Sequence, residues 1–286
     1  MELLKTANEV AARTTAARGR GETVGLVPTM GALHAGHASL IATAAEQCAL
    51  VVVSVFVNPL QFGPGEDFER YPRNLEADLQ RAAEAGADLV FAPGIEQLYP
   101  PPVNITVHVG ELADVLEGAV RPGHFDGVVT VLTRLFNLVG PARAYFGEKD
   151  YQQLVIVRDL VRELRLPIVI VNCPTLREED NLARSSRNAY LDPTARAAAS
   201  VLYRALAAGA AATEQGTRDA AAVRRAMYAV TEMEPAATVD YLEVTDPERL
   251  IVLERIDGPV RLLGALRIGG VRLIDNLAAA PNPTAD

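Results

Sequence analysis

The sequence predicts an α/β protein: a parallel sheet wrapped by helices, followed by a smaller C-terminal α+β domain. Three observations lead to this prediction. Short runs rich in β-branched residues recur through the first 175 residues, and segments with helical spacing of apolar residues separate them. After Pro174 the order changes, because helical segments come first and strand-like runs follow. We therefore predict one domain at 1–175 and a second at 176–286.

Short apolar runs bounded by Pro, Asn or Gly predict strands buried on both faces. They are "TVGLVP" (23–28), "LVVVSVFVN" (50–58), "DLVFAP" (88–93) and "LPIVIVNCP" (166–174), with a further strand-like run "ARAYF" (142–146). Helical faces between them comprise Leu33, His37, Leu40, Ile41 and Ala44, then Leu75, Leu79, Ala82 and Ala83, then Leu154, Val157, Val161 and Leu164. This alternation is typical of a Rossmann-like sheet, which binds ligands at the carboxyl ends of its strands.

The second domain is predicted to begin with a helix capped by Asp192 and Pro193. The Ala-rich run at 194–212 forms that helix, and a second helix is expected at 217–233. Three strand-like runs follow, "TVDYLEV", "GPVRLLGALRI" and "VRLIDNL", with a Gly-Gly turn between the last two. Helices followed by strands indicate an α+β domain.

Composition limits the possible functions. The chain is 49% hydrophobic and 22% charged, and its formal net charge of −9 offers no overall basic face for nucleic acid. No apolar run approaches the roughly eighteen residues that span a bilayer, and the N-terminus does not resemble a secretory signal, so a cytoplasmic protein is expected. Of the 27 Lys and Arg residues only Lys5 and Lys149 are lysines, which draws attention to Lys149.

The string "PTMGALHAGH" (28–37) connects a predicted strand to a predicted helix at the carboxyl edge of the sheet. Helix N-terminal amides bind phosphate, and Gly31 and Gly36 let the backbone approach a ligand closely. His34 and His37 would project toward the same phosphates, where an imidazole can donate to charge that develops during phosphoryl transfer.

Two other interpretations of this string compete with phosphate binding. Histidines three apart can share zinc, yet no H-E-x-x-H glutamate and no nearby Cys or His completes a tetrahedral site. The two histidines can also be a polar helix start and a solvated turn residue, which the string alone leaves open.

The remaining candidates are weaker on residue type alone. Lys149 at a turn and the acidic Asp78 on a helix are each more often solvated, and "SSRN" (185–188) is typical of a loop ahead of the capped helix. "RPGHFDGV" (121–128) is predicted to be a loop in which Arg121 and His124 are candidates to bind carboxylate or phosphate. A functional role for these residues therefore needs support from a pattern that extends over more of the chain.

Four strings together supply that pattern. "PTMGALHAGH" resembles the H-x-G-H signature of the nucleotidylyltransferase and class I aminoacyl-tRNA synthetase superfamily, and the longer string is similar to the pantothenate synthetases, or pantoate–beta-alanine ligases. The same likeness extends to "VSVFVNPLQFGPGEDFERYPR" (53–73), "YFGEKDYQQL" (145–154) and "LREEDNLARSSRNAYLD" (176–192). These strings follow the family's order over most of the chain.

The resemblance implies ATP-dependent condensation of pantoate with β-alanine through a pantoyl adenylate, with Mg²⁺ and a homodimer. It implies that the 1–175 domain binds ATP and pantoate and that the 176–286 domain closes over the active site. His34, His37, Lys149 and Arg187 would be catalytic, Gln61 and Gln153 would bind pantoate, Asn58 and Arg121 would contribute to that pocket, and Asp78, or else Asp150, would bind Mg²⁺. The implied ATP ligands are Pro28, Met30, Gly31, His34, Gly36, His37, Gly147, Glu148, Lys149, Asp150, Leu176, Arg184, Ser185, Ser186 and Arg187.

Two departures from the family pattern keep other functions open. The family tends to have a small residue at the position of Asn181 and an apolar one at Arg184. If these substitutions disabled the loop, a non-catalytic ATP-binding regulator would be favoured. A nucleotidylyltransferase is the alternative enzyme, although it does not account for the paired glutamines or the second domain.

Overall fold

The computed structural model describes residues 1–282 and separates into two compact units. The first comprises 1–148 and 153–174, and the second comprises 149–152 and the chain from 175 onward. The end of the predicted second domain, 283–286, lies outside the described residues. No helix within 1–282 is both long and apolar enough to cross a membrane.

The first unit contains a six-stranded parallel sheet in the order β1-β4-β3-β2-β5-β6. Its strands are β1 Glu2–Leu4, β2 Val24–Thr29, β3 Leu50–Val55, β4 Leu89–Phe91, β5 Ala142–Gly147 and β6 Ile168–Cys173. Together with the second unit this confirms the predicted fold class. The short edge strand β1 was not predicted. Burial of β6 on both faces was predicted wrongly, because β6 is the other edge strand and Val169 is 57% exposed.

The helices of this unit are α1 Ala7–Gly19, α2 Ala35–Gln47, α3 Leu75–Glu84, α4 Ile95–Leu98, α5 Glu117–Val120, α6 His124–Val139 and, from Gln153 onward, α7 Tyr151–Glu163. The predicted face of α2 is correct, since Leu40, Ile41 and Ala44 join the core formed with Val27, Val53 and Val90.

Two predicted helical faces differ from the structure. In α3, Leu75 and Ala83 are exposed whereas Asp78 and Ala82 are buried, so a carboxylate replaces part of the apolar stripe. Leu164 is 49% exposed because α7 ends at Glu163. Asp78 can be buried in α3 because its carboxylate accepts hydrogen bonds from two backbone N–H groups.

The predicted loop at 121–128 is also wrong, because α6 begins at His124 after Gly123, whose φ is +80°. Ten residues of α6 are buried, including Phe125, Val128 and Phe136. The start was missed because Pro122, Gly123 and Gly127 are residues typical of turns, so the string favoured a loop beyond the point where the helix begins. This helix packs against α1 and against a short 3₁₀ turn at Pro59–Gln61.

The strand order places a topological switch point between β2 and β5. From β2 the chain runs through β3 and β4 on one side, and it then returns to β5 and β6 on the other. Because all six strands are parallel, the carboxyl ends of β2 and β5 are neighbours. Open α/β sheets bind ligands in the crevice at such a point.

The second unit joins helices α8 Pro193–Ala198, α9 Val201–Glu214 and α10 Ala220–Thr231 to an antiparallel sheet. The strands are β7 Ala237–Thr245, β8 Val260–Ile268 and β9 Val271–Ala279. The predicted Ala-rich helix is divided at Ala199–Ser200, where Ala199 bonds to the carbonyl of Arg196 in a tighter turn. Gly269 and Gly270 both have positive φ and form the predicted hairpin turn.

Candidate active site

The segment after β2 is held in an unusual backbone conformation. Gly31 and Ala32 have φ values of +82° and +50°. A Cβ on Gly31 would lie 2.9 Å from Asp78 Oδ2, so this position requires glycine for both conformation and space. The Gly31 N–H donates to Thr29 Oγ1, and that hydroxyl donates to the Ser54 carbonyl at 2.6 Å. The turn is therefore tied to β3.

Asp78 provides the second anchor of this turn. Its Oδ2 accepts from the Ala32 N–H at 3.0 Å and its Oδ1 accepts from the Leu33 N–H at 2.7 Å. The residue is 3% exposed. A buried carboxylate that accepts two backbone amides is well satisfied, and it sets the path of the chain just before the histidines.

Replacing Asp78 by Asn should therefore destabilise the first unit by about 1–3 kcal/mol, because an amide cannot accept from both N–H groups without turning a donor toward one of them. Denaturant unfolding of Asp78→Asn and of Glu76→Gln, an exposed carboxylate on the same helix, provides the measurement and its control. A midpoint equal to that of the parent would contradict the anchoring role.

The two histidines cap α2 reciprocally. His34 Nδ1 accepts from the Gly36 N–H at 3.1 Å, and His37 Nδ1 accepts from the His34 N–H at 3.3 Å. The ring centroids lie 4.1 Å apart. A neutral imidazole whose Nδ1 accepts carries its proton on Nε2, so both rings have Nε2–H as the donor side. Capping thus selects the tautomer that can donate to an anion.

The 3₁₀ turn after β3 holds Gln61 next to this loop. Gln61 is 8% exposed, its Oε1 accepts from Asn58 Nδ2 at 3.1 Å, and its Nε2 lies 2.9 Å from the Met30 sulfur. Asn58 also donates to the Gly127 carbonyl, while its Oδ1 accepts from Tyr99 Oη at 2.8 Å. Burial raises the pKa of Tyr99 to about 12, so it remains a donor.

Close packing of α6 on this turn depends on Gly127. A Cβ at that position would lie 2.2 Å from the Leu60 carbonyl oxygen. Asn58 is 1% exposed and its amide is engaged on both sides. The structure therefore places Asn58 as a support for Gln61.

Arg121 and His124 also lie against Gln61. Arg121 makes a bidentate pair with Glu66 at 2.7 and 2.8 Å, and its Nη1 lies 3.0 Å from His124 Nε2. His124 Nδ1 is 2.9 Å from the Gln61 carbonyl, which can only accept, so Nδ1 carries the proton. Since the Arg121 guanidinium can only donate, Nε2 accepts from it and the imidazole is neutral. Glu66 and Tyr99 were missed by the sequence analysis, since no local pattern links residues this far apart.

Burial, together with the positive charge of Arg121, lowers the pKa of His124 to about 4. Burial raises the pKa of Glu66, but pairing with Arg121 outweighs this and leaves that pKa below its usual value. Between roughly pH 6.5 and pH 4 the unfolded state therefore binds a proton at His124 that the folded state does not. Stability is lost as the pH falls through this window.

His124→Asn should make the pH dependence of unfolding shallower by up to about 3 kcal/mol between pH 6.5 and pH 4. Asn keeps a donor near the Gln61 carbonyl but does not titrate. Urea unfolding across this range measures the difference, with His108→Ala as the control because His108 is exposed and its pKa is raised by the hydrogen bond to Asp126. Identical pH slopes in parent and His124→Asn would refute the role.

In the second unit, Lys149 lies in a 3₁₀ turn, Glu148–Asp150, directly after β5. Its side chain is 19% exposed, and Nζ lies 3.5 Å from Asp150 Oδ1. The Lys149 carbonyl accepts from Asn276 Nδ2 at 2.8 Å. Gly147 and Glu148 lead into this turn, while Gln153 lies half-buried in the first turn of α7.

The segment from Leu176 to Arg187 explains the two departures from the family pattern. Asn181 has a φ of +68°, a conformation that favours glycine and that asparagine tolerates well. Arg184 pairs with Glu178 at 3.0 Å. Ser185 accepts from the Arg187 N–H and begins a short 3₁₀ turn. Asn181 thus suits its backbone conformation, and Arg184 has an ion-pair partner within the segment.

Within residues 1–282, two buried side-chain atoms have no hydrogen-bond partner, and both lie in or next to this segment: Arg184 Nε and Asn188 Oδ1. Buried polar atoms are otherwise almost always satisfied. Leu176 is 39% exposed. Contact of these residues with ATP stays a prediction.

The fold and the loop after β2 define an α/β protein of the class that binds phosphorylated ligands at a switch point, with amides and donors at a helix N-terminus. The pantoate-beta-alanine ligase family matches residues 2–278. A pantothenate synthetase from Moorella thermoacetica is 51% identical over 282 residues, which are 99% of this chain and 100% of that protein. One from Thermus thermophilus is 54% identical over 261 residues, 91% and 94% of the two chains.

Solved structures of the same family are similar to this chain. A crystal structure of the pantothenate synthetase of Thermus thermophilus superposes with a TM-score of 0.92 at 51% identity, over 97% of this chain and 99% of that one. The pantoate-beta-alanine ligase of Francisella tularensis, complexed with β-γ ATP and β-alanine, has a TM-score of 0.80 at 32% identity over 97% of each chain. This chain belongs to the pantoate-beta-alanine ligase family.

Proposed function

We infer that this chain catalyses the ATP-dependent condensation of pantoate with β-alanine, giving pantothenate, AMP and pyrophosphate. The single observation that carries the inference is the pair of histidines that cap α2, whose Nδ1 atoms accept from backbone amides. This pair stands at a switch point in a chain of the pantoate-beta-alanine ligase family. Such donors suit stabilisation of phosphate charge.

In the first step the pantoate carboxylate attacks the α-phosphorus of ATP in line, pyrophosphate leaves, and pantoyl adenylate forms. We assign to His34 and His37 donation from Nε2–H to the phosphate oxygens as charge develops, and we prefer His37 as the proton donor. Lys149 and Arg187 would hold the β- and γ-phosphates, and Ser185 and Ser186 would close over them.

In the second step the β-alanine amine attacks the mixed anhydride, and AMP leaves. No protein nucleophile is required, so catalysis rests on positioning and charge stabilisation. The base that accepts the amine proton is not assigned, and solvent suffices for it.

Pantoate is assigned to Gln61 and Gln153, because an amide binds a hydroxy acid without neutralising the attacking carboxylate. Asn58 would orient the Gln61 amide. For Arg121, the contacts with Glu66, His124 and the Gln61 carbonyl favour a role through the Gln61 backbone over direct contact with substrate.

Magnesium would enter with ATP. Among residues 1–282 no group of three His, Cys, Asp or Glu side chains is arranged to bind a metal. A site with one carboxylate and phosphate oxygens fits this donor set, since Mg²⁺ commonly takes only one or two carboxylates. Asp78 is our candidate ligand. Asp150 is the alternative, because both Asp78 carboxylate oxygens already accept hydrogen bonds from backbone amides. A higher Mg²⁺ requirement in only one of Asp78→Asn and Asp150→Asn identifies the ligand.

Three further assignments follow the family resemblance. The chain is proposed to form a homodimer, which light scattering tests, and to act in the cytoplasm. The second unit is proposed to contribute ATP ligands from 176–187 to the same reaction as the first.

The deciding experiment incubates the protein with Mg·ATP and D-pantoate, with and without β-alanine, and resolves the nucleotide products. Sustained AMP formation that needs both substrates supports the ligase. Transfer of a nucleotide to a phosphorylated acceptor would favour a nucleotidylyltransferase instead. Intact ATP under all conditions would leave an ATP-binding regulator and contradict the proposed activity.

A further inference from the structure

We propose that Asn276 and Arg261 are positioning residues for Lys149, and that strand β9 anchors both Lys149 and the first part of the 176–187 segment, at Arg177. The proposal rests on the role assigned above to Lys149 as a phosphate ligand. All of the residues that carry it belong to the second unit.

Asn276 is oriented by contacts on both ends of its amide. Its Nδ2 donates to the Lys149 carbonyl at 2.8 Å, and its Oδ1 accepts from Arg261 Nε at 2.7 Å. Asn276 and Arg261 are 2% and 8% exposed. Flipping the amide would set donor against donor and acceptor against acceptor in a buried place, so a single orientation is favoured.

The same arginine fixes the residue two positions after Lys149. The Arg261 guanidinium lies 3.9 Å from the centre of the Tyr151 ring, and Tyr151 Oη donates to the Pro247 carbonyl at 3.0 Å. A cation–π contact is stronger in a desolvated place than at an exposed one. Residues 149 and 151, on the two sides of Asp150, are therefore both held by contacts within the second unit.

The neighbouring residue of β9 holds the other segment. Asp275 is 4% exposed and pairs with Arg177 through two hydrogen bonds of 2.6 and 2.9 Å. Arg177 Nη1 also donates to the Asn181 carbonyl at 3.0 Å. Successive side chains of a strand point to opposite faces. One strand thus anchors the 176–187 segment from Asp275 and Lys149 from Asn276.

Stability alone does not require polar residues at positions 261, 275 and 276. Buried ionic and polar groups are costly, and apolar residues of similar volume often serve stability as well. Here the polar atoms converge on the backbone of Lys149 and on the segment that leads to Ser185. Positions of both phosphate-binding elements then depend on adjacent residues of one strand.

The test measures the two half-reactions separately in the variant Asn276→Leu. Leucine has a similar side-chain volume but no amide. Adenylate formation is followed as pyrophosphate release in a single turnover with Mg·ATP and pantoate, and amine transfer is followed with presynthesised pantoyl adenylate and β-alanine. We expect adenylate formation to fall by about 10-fold or more, since small misplacement of a charge-stabilising group is costly. Amine transfer, which releases no pyrophosphate, should stay within about two-fold.

A double-variant cycle asks whether Asn276 acts through Lys149. In a Lys149→Ala background, Asn276→Leu should slow adenylate formation by no more than about two-fold. An undiminished effect in that background, or an equal loss in both half-reactions, would overturn the proposal. If Lys149→Ala alone leaves adenylate formation unchanged, the assigned role of Lys149 fails instead.

Folding is controlled with two further variants, each followed by thermal unfolding. Arg261→Lys keeps the charge but loses the guanidinium that bonds to Asn276, so it should reproduce the selective loss even if Asn276→Leu does not fold. Thr213→Val removes a buried hydroxyl hydrogen bond elsewhere in the second unit and should leave both half-reactions unchanged. A folded Arg261→Lys with normal adenylate formation would refute the positioning role.

Discussion

His37→Asn is expected to lower the rate of pantoyl adenylate formation by about 10²–10³-fold, the range seen when one donor to a developing oxyanion is removed. Asparagine retains an acceptor near the position of Nδ1, so it can still accept from the His34 N–H and cap α2. It lacks the Nε2–H donor. The change should therefore remove the chemistry and keep the local structure.

Single-turnover pyrophosphate release measures this rate, and calorimetry in the presence of a non-hydrolysable ATP analogue measures pantoate affinity. Affinity should change by no more than about two-fold. His37→Gln supplies the matched comparison, because its amide reaches the Nε2 position while losing the cap, and it should retain more activity than His37→Asn. Equal catalytic constants in parent and His37→Asn would exclude His37 from the chemistry.

Lys149→Ala is expected to slow adenylate formation on the order of 10²–10³-fold, because a cation that offsets charge on departing pyrophosphate acts mainly in the transition state. Amine transfer from presynthesised pantoyl adenylate should be unaffected. The same two half-reaction assays provide the measurement.

The composition of the chain offers a clean control. Lys5 is the only other lysine, it is exposed, and Lys5→Ala should leave both rates unchanged. An amine-specific reagent gives an independent readout, since ATP should protect Lys149 but not Lys5 from labelling. Labelling of Lys149 that is indifferent to ATP would contradict phosphate binding.

Features encoded over short distances were predicted well. The strands and most helices follow from periodicity, and alternation alone indicates a parallel sheet. The loop after β2 was also predicted, because its contacts are local: the capping histidines bond to backbone groups only two or three residues away. The weak points were a three-residue edge strand, which is too short to carry a periodic signal, and the start of α6, where Pro122, Gly123 and Gly127 favour a loop.

Features that depend on distant contacts were not predictable. Acidic residues on helices are usually solvated, but Asp78 is buried and accepts from an amide 46 residues away. The pair of Glu66 with Arg121 spans 55 residues. No local pattern marks either, because each partner alone is an ordinary surface residue type.

The sequence by itself determined the class of fold, the family and the residue types available for phosphate chemistry, since these follow from periodicity and from strings of adjacent residues. The tertiary structure decided how those residues are held. Strand order brings the ends of β2 and β5 together, α3 delivers a carboxylate to the turn before His34, and Asn276 reaches the carbonyl of Lys149 across 127 positions. Such contacts arise only when the chain is folded, because burial and hydrogen-bond partners are set by packing between elements and not by neighbours in sequence.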